Sequence, residues 1–139
     1  MKIIKTSREL NPNLKYKLLT SDDSKPIEEA LGMQINVDAL ILYTDVDRRS
    51  GEERTFVKIA DVDGEVYSTG GSVLVKQITK ALDFCDGEPG WTIGTIIPAK
   101  VKGAKSKGAY YTATINLKEI AQEDIPQPGP NDPVEFNLN

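Results

Sequence analysis

The sequence contains no histidine and a single cysteine, Cys85. Histidine is the commonest general base, the proton shuttle of catalytic triads and the most frequent ligand of transition metals, so its absence argues against most hydrolase and oxidoreductase chemistry. One cysteine excludes an internal disulfide and a cysteine-rich zinc site. We therefore expect a protein that is not an enzyme and that holds neither a cofactor nor a metal.

Long apolar runs are also missing. No stretch approaches the roughly 20 apolar residues needed to cross a bilayer, and the opening residues Met1 to Thr6 lack the apolar core of a signal peptide. We expect a cytoplasmic protein without membrane contact. The length of 139 residues and the hydrophobic content of 39% suit a single folded unit.

Charge is unevenly distributed along the chain. The formal net charge is -4, yet the stretch from 91 to 118 carries five lysines and no acidic residue. Four of these lysines lie between Lys100 and Lys107, directly before Tyr110 and Tyr111. Basic side chains beside aromatic ones are typical of surfaces that bind phosphates and stack on nucleobases. The alternative is that the lysines only keep an exposed hairpin soluble.

The pattern of apolar residues predicts five strands and one long helix. The strands are expected near 37–47, 53–62, 65–69, 91–102 and 109–117, and the helix near 72–85. Asp63 and Gly64 suit a two-residue hairpin turn, which would place Tyr67 opposite Ala60 and on the face of Lys58. The alternation of apolar residues in the strands near 91–102 and 109–117 predicts that Trp91 and Tyr111 face the core.

This order of elements is that of an OB-fold, a small Greek-key barrel. We therefore predict a mainly β protein whose barrel spans 37–118, with one helix between strands three and four. Residues 1–36 are expected to form a short helical extension that packs on the barrel. Residues 119–139, with five acidic residues and several prolines, are expected to form a flexible acidic tail.

OB-folds bind oligonucleotides with the face of strands two and three and with the loops that join strands one to two and four to five. The basic and aromatic residues of this sequence lie in those places. The predicted DNA-binding residues are Arg48, Arg49, Arg54, Phe56, Lys58, Tyr67, Lys100, Lys102, Lys105, Lys107 and Tyr110.

Two aspartate pairs offer a rival hypothesis. Asp45 and Asp47, and likewise Asp61 and Asp63, could hold a divalent cation in a metal-dependent nuclease. The first pair resembles the start of a calcium loop, but Arg49 and Phe56 stand where further ligands belong. Both pairs adjoin predicted turns, so the aspartates are better interpreted as residues that form the turns.

The stretches Met1-Lys-Ile-Ile-Lys-Thr6, Tyr43-Thr-Asp-Val-Asp47 through Glu52, and Asp63-Gly-Glu-Val-Tyr67 resemble the small phage-encoded single-stranded DNA-binding proteins of Gram-positive hosts. The resemblance implies a cooperative coat on single-stranded DNA in replication or recombination, in the host cytoplasm. It also implies a homo-oligomer and contacts with replication or recombination proteins. The alternative from another class is a small protein-interaction or inhibitor module built on the same barrel.

Overall fold

The computed structural model of the chain describes residues 1–102 and 108–120. Lys105, Lys107 and the predicted tail beyond Ile120 lie outside these ranges. The strands are β1 Lys2–Thr6, β2 Lys25–Pro26, β3 Ile35–Val46, β4 Glu53–Asp61, β5 Val66–Thr69, β6 Trp91–Val101 and β7 Tyr110–Glu119. The helices are α1 Pro12–Leu19 and α2 Ser72–Asp86, with a short 3-10 helix at Ile27–Ala30.

The strands form one strongly curled mixed sheet in the order β2-β5-β4-β3-β6-β7, and β1 pairs with β3. The curl centres on β3, which pairs with β6 at Ile35 and Asn36 and with β4 over most of its remaining length. The prediction of a mainly β protein is confirmed. The predicted number of five strands is too low, because the short strands β1 and β2 were not predicted.

Strand β3 is covered on both faces, as its continuous apolar run predicts. Alternate residues such as Leu40 and Leu42 point to an inner core shared with α2. Ile41 and Tyr43 point to an outer core under α1. A bulge between Val37 and Ala39 shifts the alternation at the start of the strand.

The predicted register of the β4–β5 hairpin is wrong by one residue. Tyr67 pairs with Ile59, not Ala60, because the loop contains three residues and Gly64 adopts a φ of 93°. The Asp61 side chain fixes this loop by accepting hydrogen bonds from the amides of Asp63 and Glu65, both at 2.9 Å. A slip of one residue turns a side chain to the other face, so Tyr67 lies in the inner core.

The first 36 residues contribute to both cores. Asn11 caps α1 by accepting a hydrogen bond from the amide of Leu14 at 2.9 Å, which fits the predicted helix start. Ile27 and Ala30 of the 3-10 helix are buried in the inner core. None of the helices in the described ranges combines the length and apolarity needed to cross a bilayer.

Helix α2 packs against β7. The side-chain oxygen of Gln77 accepts a hydrogen bond from the amide of Ala113 at 3.1 Å. Within the described residues β7 pairs only with β6, so Gln77 serves the backbone of β7 in place of a further strand. A groove of about 340 Å³ lies beside this contact, lined by α2 and by Ala113, Ile115 and Leu117. Phe84 stands at this groove with 59% of its surface exposed.

Candidate nucleic-acid interface

The loop between β3 and β4 is closed by its own backbone. The Asp47 amide donates to the carbonyl of Glu52 at 2.8 Å, and the Gly51 amide donates to the carbonyl of Asp47 at 2.7 Å. Gly51 has a φ of 73°, a conformation that favours glycine. Arg48 and Arg49 are exposed on this loop as predicted, but Glu52 and Glu53 follow them, so the loop carries little net charge.

Arg54 bridges the start of β4 to the end of β5. Its guanidinium donates to the Asp47 carboxylate at 2.8 Å and to the carbonyl of Gly70 at 2.7 Å. The Arg54 hydrogen bond lowers the pKa of Asp47, with help from the Arg49 amide that donates to the same carboxylate. Arg54 was predicted to contact DNA, and in this geometry part of its hydrogen-bonding capacity already holds the two strands together.

Phe56 lies between Arg54 and Tyr43. The Arg54 guanidinium carbon is 5.5 Å from the centroid of the Phe56 ring, and the rings of Phe56 and Tyr43 stack with centroids 5.8 Å apart. Burial raises the pKa of the Tyr43 hydroxyl. Phe56 is half-buried, so much of its aromatic surface is used inside the protein.

Lys58 and Tyr67 do not belong to an exposed face, contrary to the prediction. Each is only 7% exposed. Tyr67 is turned inward by the register described above. Lys58 points outward from β4, but the segment that follows α1 covers it, and its ammonium donates to the Ser24 hydroxyl at 2.9 Å. Burial lowers the pKa of Lys58, because the charged form loses hydration.

The hairpin of β6 and β7 carries the exposed basic residues. Lys100, Lys102 and Tyr110 are all exposed, and Tyr110 pairs with Val101 at the end of the hairpin. Lys105 and Lys107, also predicted to bind DNA, lie outside the described residues. Lys100 and Lys102 have no acidic residue near them in sequence, unlike Arg48 and Arg49.

Tyr111 anchors the hairpin to the rest of the protein. Its ring packs against the inner core, and its hydroxyl donates to the Glu28 carboxylate at 3.0 Å. That hydrogen bond raises the pKa of the Tyr111 hydroxyl. A methyl group at Gly71 would lie 3.8 Å from the Tyr111 ring, so the hairpin meets the end of β5.

Gly70 and Gly71 therefore join the two parts of the candidate site. The Gly70 carbonyl accepts a hydrogen bond from Arg54, next to the β3–β4 loop, and Gly71 has room for a methyl group between itself and Tyr111 of the β6–β7 hairpin. The sequence predicted both parts, but not this junction. We define the interface as the exposed surface around it: Arg48, Arg49, Arg54, Lys100, Lys102 and Tyr110.

Trp91 was predicted to face the core, yet it is 40% exposed. It begins β6 opposite Glu119, at the last pair of the β6–β7 ladder, where little remains to cover it. Nine residues separate it from Lys100, about 30 Å along an extended strand. Trp91 therefore lies outside the interface.

The aspartate pairs serve as turn-forming residues. Asp47 accepts a hydrogen bond from the Arg49 amide, and Asp61 accepts from two amides of the next turn. In residues 1–102 and 108–120, no three cysteine, aspartate or glutamate side chains converge as a metal site would require.

Comparisons with protein-family models, with curated proteins and with solved structures find no match to this chain.

Proposed function

We propose that the protein is an OB-like barrel that binds single-stranded DNA through phosphate contacts and base stacking. The connectivity supports the OB-like assignment: β3, β4 and β5 follow one another, α2 comes next, β6 returns to pair with the start of β3, and β7 pairs with β6. In such barrels the loops after the first strand and before the last flank the ligand. Strands β1 and β2 are additions to that plan.

The observation that carries the proposal is the position of Gly70 and Gly71 between Arg54, which is bonded to the β3–β4 loop, and Tyr111 of the β6–β7 hairpin. A single strand crossing this junction would find the guanidinium groups of the loop on one side and the lysines of the hairpin on the other. The exposed Tyr110 ring provides a surface on which a base can stack. Backbone contacts of this kind favour binding without strong sequence preference.

A fluorescence titration with labelled oligothymidine at several salt concentrations tests this function. If about four phosphates are engaged, the slope of log affinity against log salt should lie near -3, at ~0.7 per contact. A duplex of equal length should bind more weakly. Salt-independent affinity, or no binding at low salt, would contradict the proposal and favour the protein-interaction alternative.

The hairpin lysines provide a matched pair of variants for the same titration. Replacing Lys102, Lys105 and Lys107 with alanine should weaken binding and flatten the salt slope by about 2, since each phosphate contact contributes ~0.7. The control replaces Lys80, in the second half of α2, and Lys118, which pairs with Thr92 at the other end of the hairpin; both are exposed. Equal effects of the two variants per lysine removed would indicate that the lysines act only through net charge.

A further inference from the structure

Helix α1 covers the outer face of the sheet, where β3 and β4 would otherwise be open. The buried residues of this contact are Leu10, Leu18, Ala39, Ile41, Tyr43 and Ala60. Lys58 is enclosed at the same face and held by Ser24. Much of the sheet face that OB-folds commonly offer to bases is thus covered in this chain, and the surface above the covered part belongs to α1.

The outward side of α1 is basic and aromatic. Leu14 and Leu18 point toward the sheet, while Tyr16 and Lys17 lie on the opposite side of the helix. Tyr16 is 69% exposed, more than Tyr110 or Trp91. The exposed Lys17 follows it, whereas Lys15 is half-buried on the side of Leu18 and Leu19, and the helix from Pro12 to Leu19 contains no acidic residue.

This surface adjoins the interface described above. Leu14 and Leu19 of α1 pack against the same outer core as Phe56, the residue beneath the Arg54 guanidinium. Single-stranded DNA bound at Arg54 could therefore continue over α1. Displacing α1 instead would expose Leu10, Leu18 and the apolar residues under them, whereas binding on top of the helix leaves that packing intact.

We propose that α1 is a second part of the nucleic-acid site, in which Tyr16 stacks on a base and Lys17 contacts a phosphate. The inference rests on the proposed function and names the route of the strand beyond the junction. In this arrangement Phe56 packs under the Arg54 guanidinium and Lys58 holds Ser24, which follows α1. Neither residue contacts the DNA.

The test compares Tyr16→Ala with Phe84→Ala in the oligothymidine titration. Loss of a stacked base should lower affinity by about 5- to 100-fold in Tyr16→Ala, and Tyr16→Phe, which keeps the ring, should stay close to wild type. Phe84 is a comparably exposed aromatic on α2, across the sheet, and its loss should leave affinity unchanged. Lys17→Ala should reduce the salt slope by about 0.7.

Hydrogen exchange of the wild-type protein separates binding on α1 from displacement of α1. Saturating oligothymidine should increase the protection of amides from 13 to 20. Decreased protection there would overturn the inference, because it would mean that the helix leaves the sheet. If wild type binds while Tyr16→Ala and Lys17→Ala bind equally well, this inference fails and the proposed function stands; if wild type does not bind, the proposed function fails first.

Discussion

Gly70 is the residue at which the interface has least room. A methyl group added there would lie 2.8 Å from two carbons of the Phe56 ring, and that ring is already stacked with Tyr43. We expect Gly70→Ala to lower the free energy of unfolding by about 1–3 kcal/mol through overpacking. Urea denaturation followed by circular dichroism measures the change.

Gly71→Ala is the matched control for this substitution. A methyl group at Gly71 would meet its nearest atom, the Thr69 hydroxyl oxygen, at 3.6 Å, an ordinary contact. Its effect should stay at or below about 1 kcal/mol, because Gly71 is the N-cap of α2, a position where alanine is less favourable than glycine. Equal destabilisation by the two variants would show that glycine is needed at both positions for the backbone itself, and that the Phe56 contact is not the cause.

At the scale of single elements, two adjacent tyrosines of β7 are expected to have different roles, Tyr110 in DNA binding and Tyr111 in stability. Successive side chains of a strand point to opposite faces, so Tyr110 is exposed while Tyr111 packs on the inner core. Tyr110→Ala should cost about 1–3 kcal/mol of DNA affinity with little loss of stability. Tyr111→Ala should lower the free energy of unfolding by about 1–3 kcal/mol, because it leaves a cavity.

Thermal midpoints and oligothymidine affinities of both tyrosine variants complete this measurement. The assignment of faces would be reversed if Tyr110→Ala unfolded the protein while Tyr111→Ala only weakened binding. The pair is well controlled, since the two substitutions remove the same side chain one residue apart.

Elements with a strong periodic pattern were predictable from the sequence. The alternation in β6 and β7 and the apolar stripe of α2 place these elements within a residue or two of their observed bounds. Strands β1 and β2 were missed because five and two residues give too short a pattern to distinguish from loop. The β4–β5 register was missed because the Asp61 side chain, not the Asp63–Gly64 pair alone, sets the loop length.

The site was less predictable than the fold for a physical reason. Alternation along β4 correctly separated Val57 and Ile59 from Phe56 and Lys58. It cannot reveal that an outward face is covered by a distant segment, as α1 covers Ile41 and Tyr43 and the segment at Ser24 covers Lys58. The amphipathic pattern of α1 identifies Leu14 and Leu18 as packing residues, but only the fold shows on which face they pack.

At the scale of the whole molecule, the net charge is -4 although the hairpin is basic. Several acidic residues are paired within the described part of the chain: Asp83 and Asp86 at the end of α2 both accept hydrogen bonds from Lys5 of β1, and Asp38 pairs with Arg8 at 3.2 Å. Exposed pairs of this kind add little stability. Their consequence is that Lys5 and Arg8 are engaged, whereas Lys100 and Lys102 of the hairpin and Lys17 of α1 are exposed to solvent.

The N-terminal residues are integral to the fold, and this gives a prediction about fragments. A fragment of residues 37–118 lacks Ile27 and Ile35 of the inner core and Leu10 and Leu18 of the outer core, each at most 5% exposed in the intact chain. Burial of such a side chain contributes about 1.5–3 kcal/mol. Four of them together rival the whole stability of an ordinary domain, about 5–15 kcal/mol.

We therefore expect the 37–118 fragment to lose cooperative unfolding, while a 1–120 fragment, which keeps both cores, unfolds cooperatively in urea. The near-ultraviolet circular dichroism of the tyrosines and Trp91 reports on packed side chains and should be lost in 37–118 but kept in 1–120.

A third fragment, 25–120, separates the two cores, because it keeps Ile27 and Ile35 but lacks α1 and β1. It should unfold at lower urea than 1–120, since Ile41 and Tyr43 lose their cover. Cooperative unfolding of 37–118 with the midpoint of 1–120 would mean that the barrel is independent of its first 36 residues, and that α1 is attached to it only loosely.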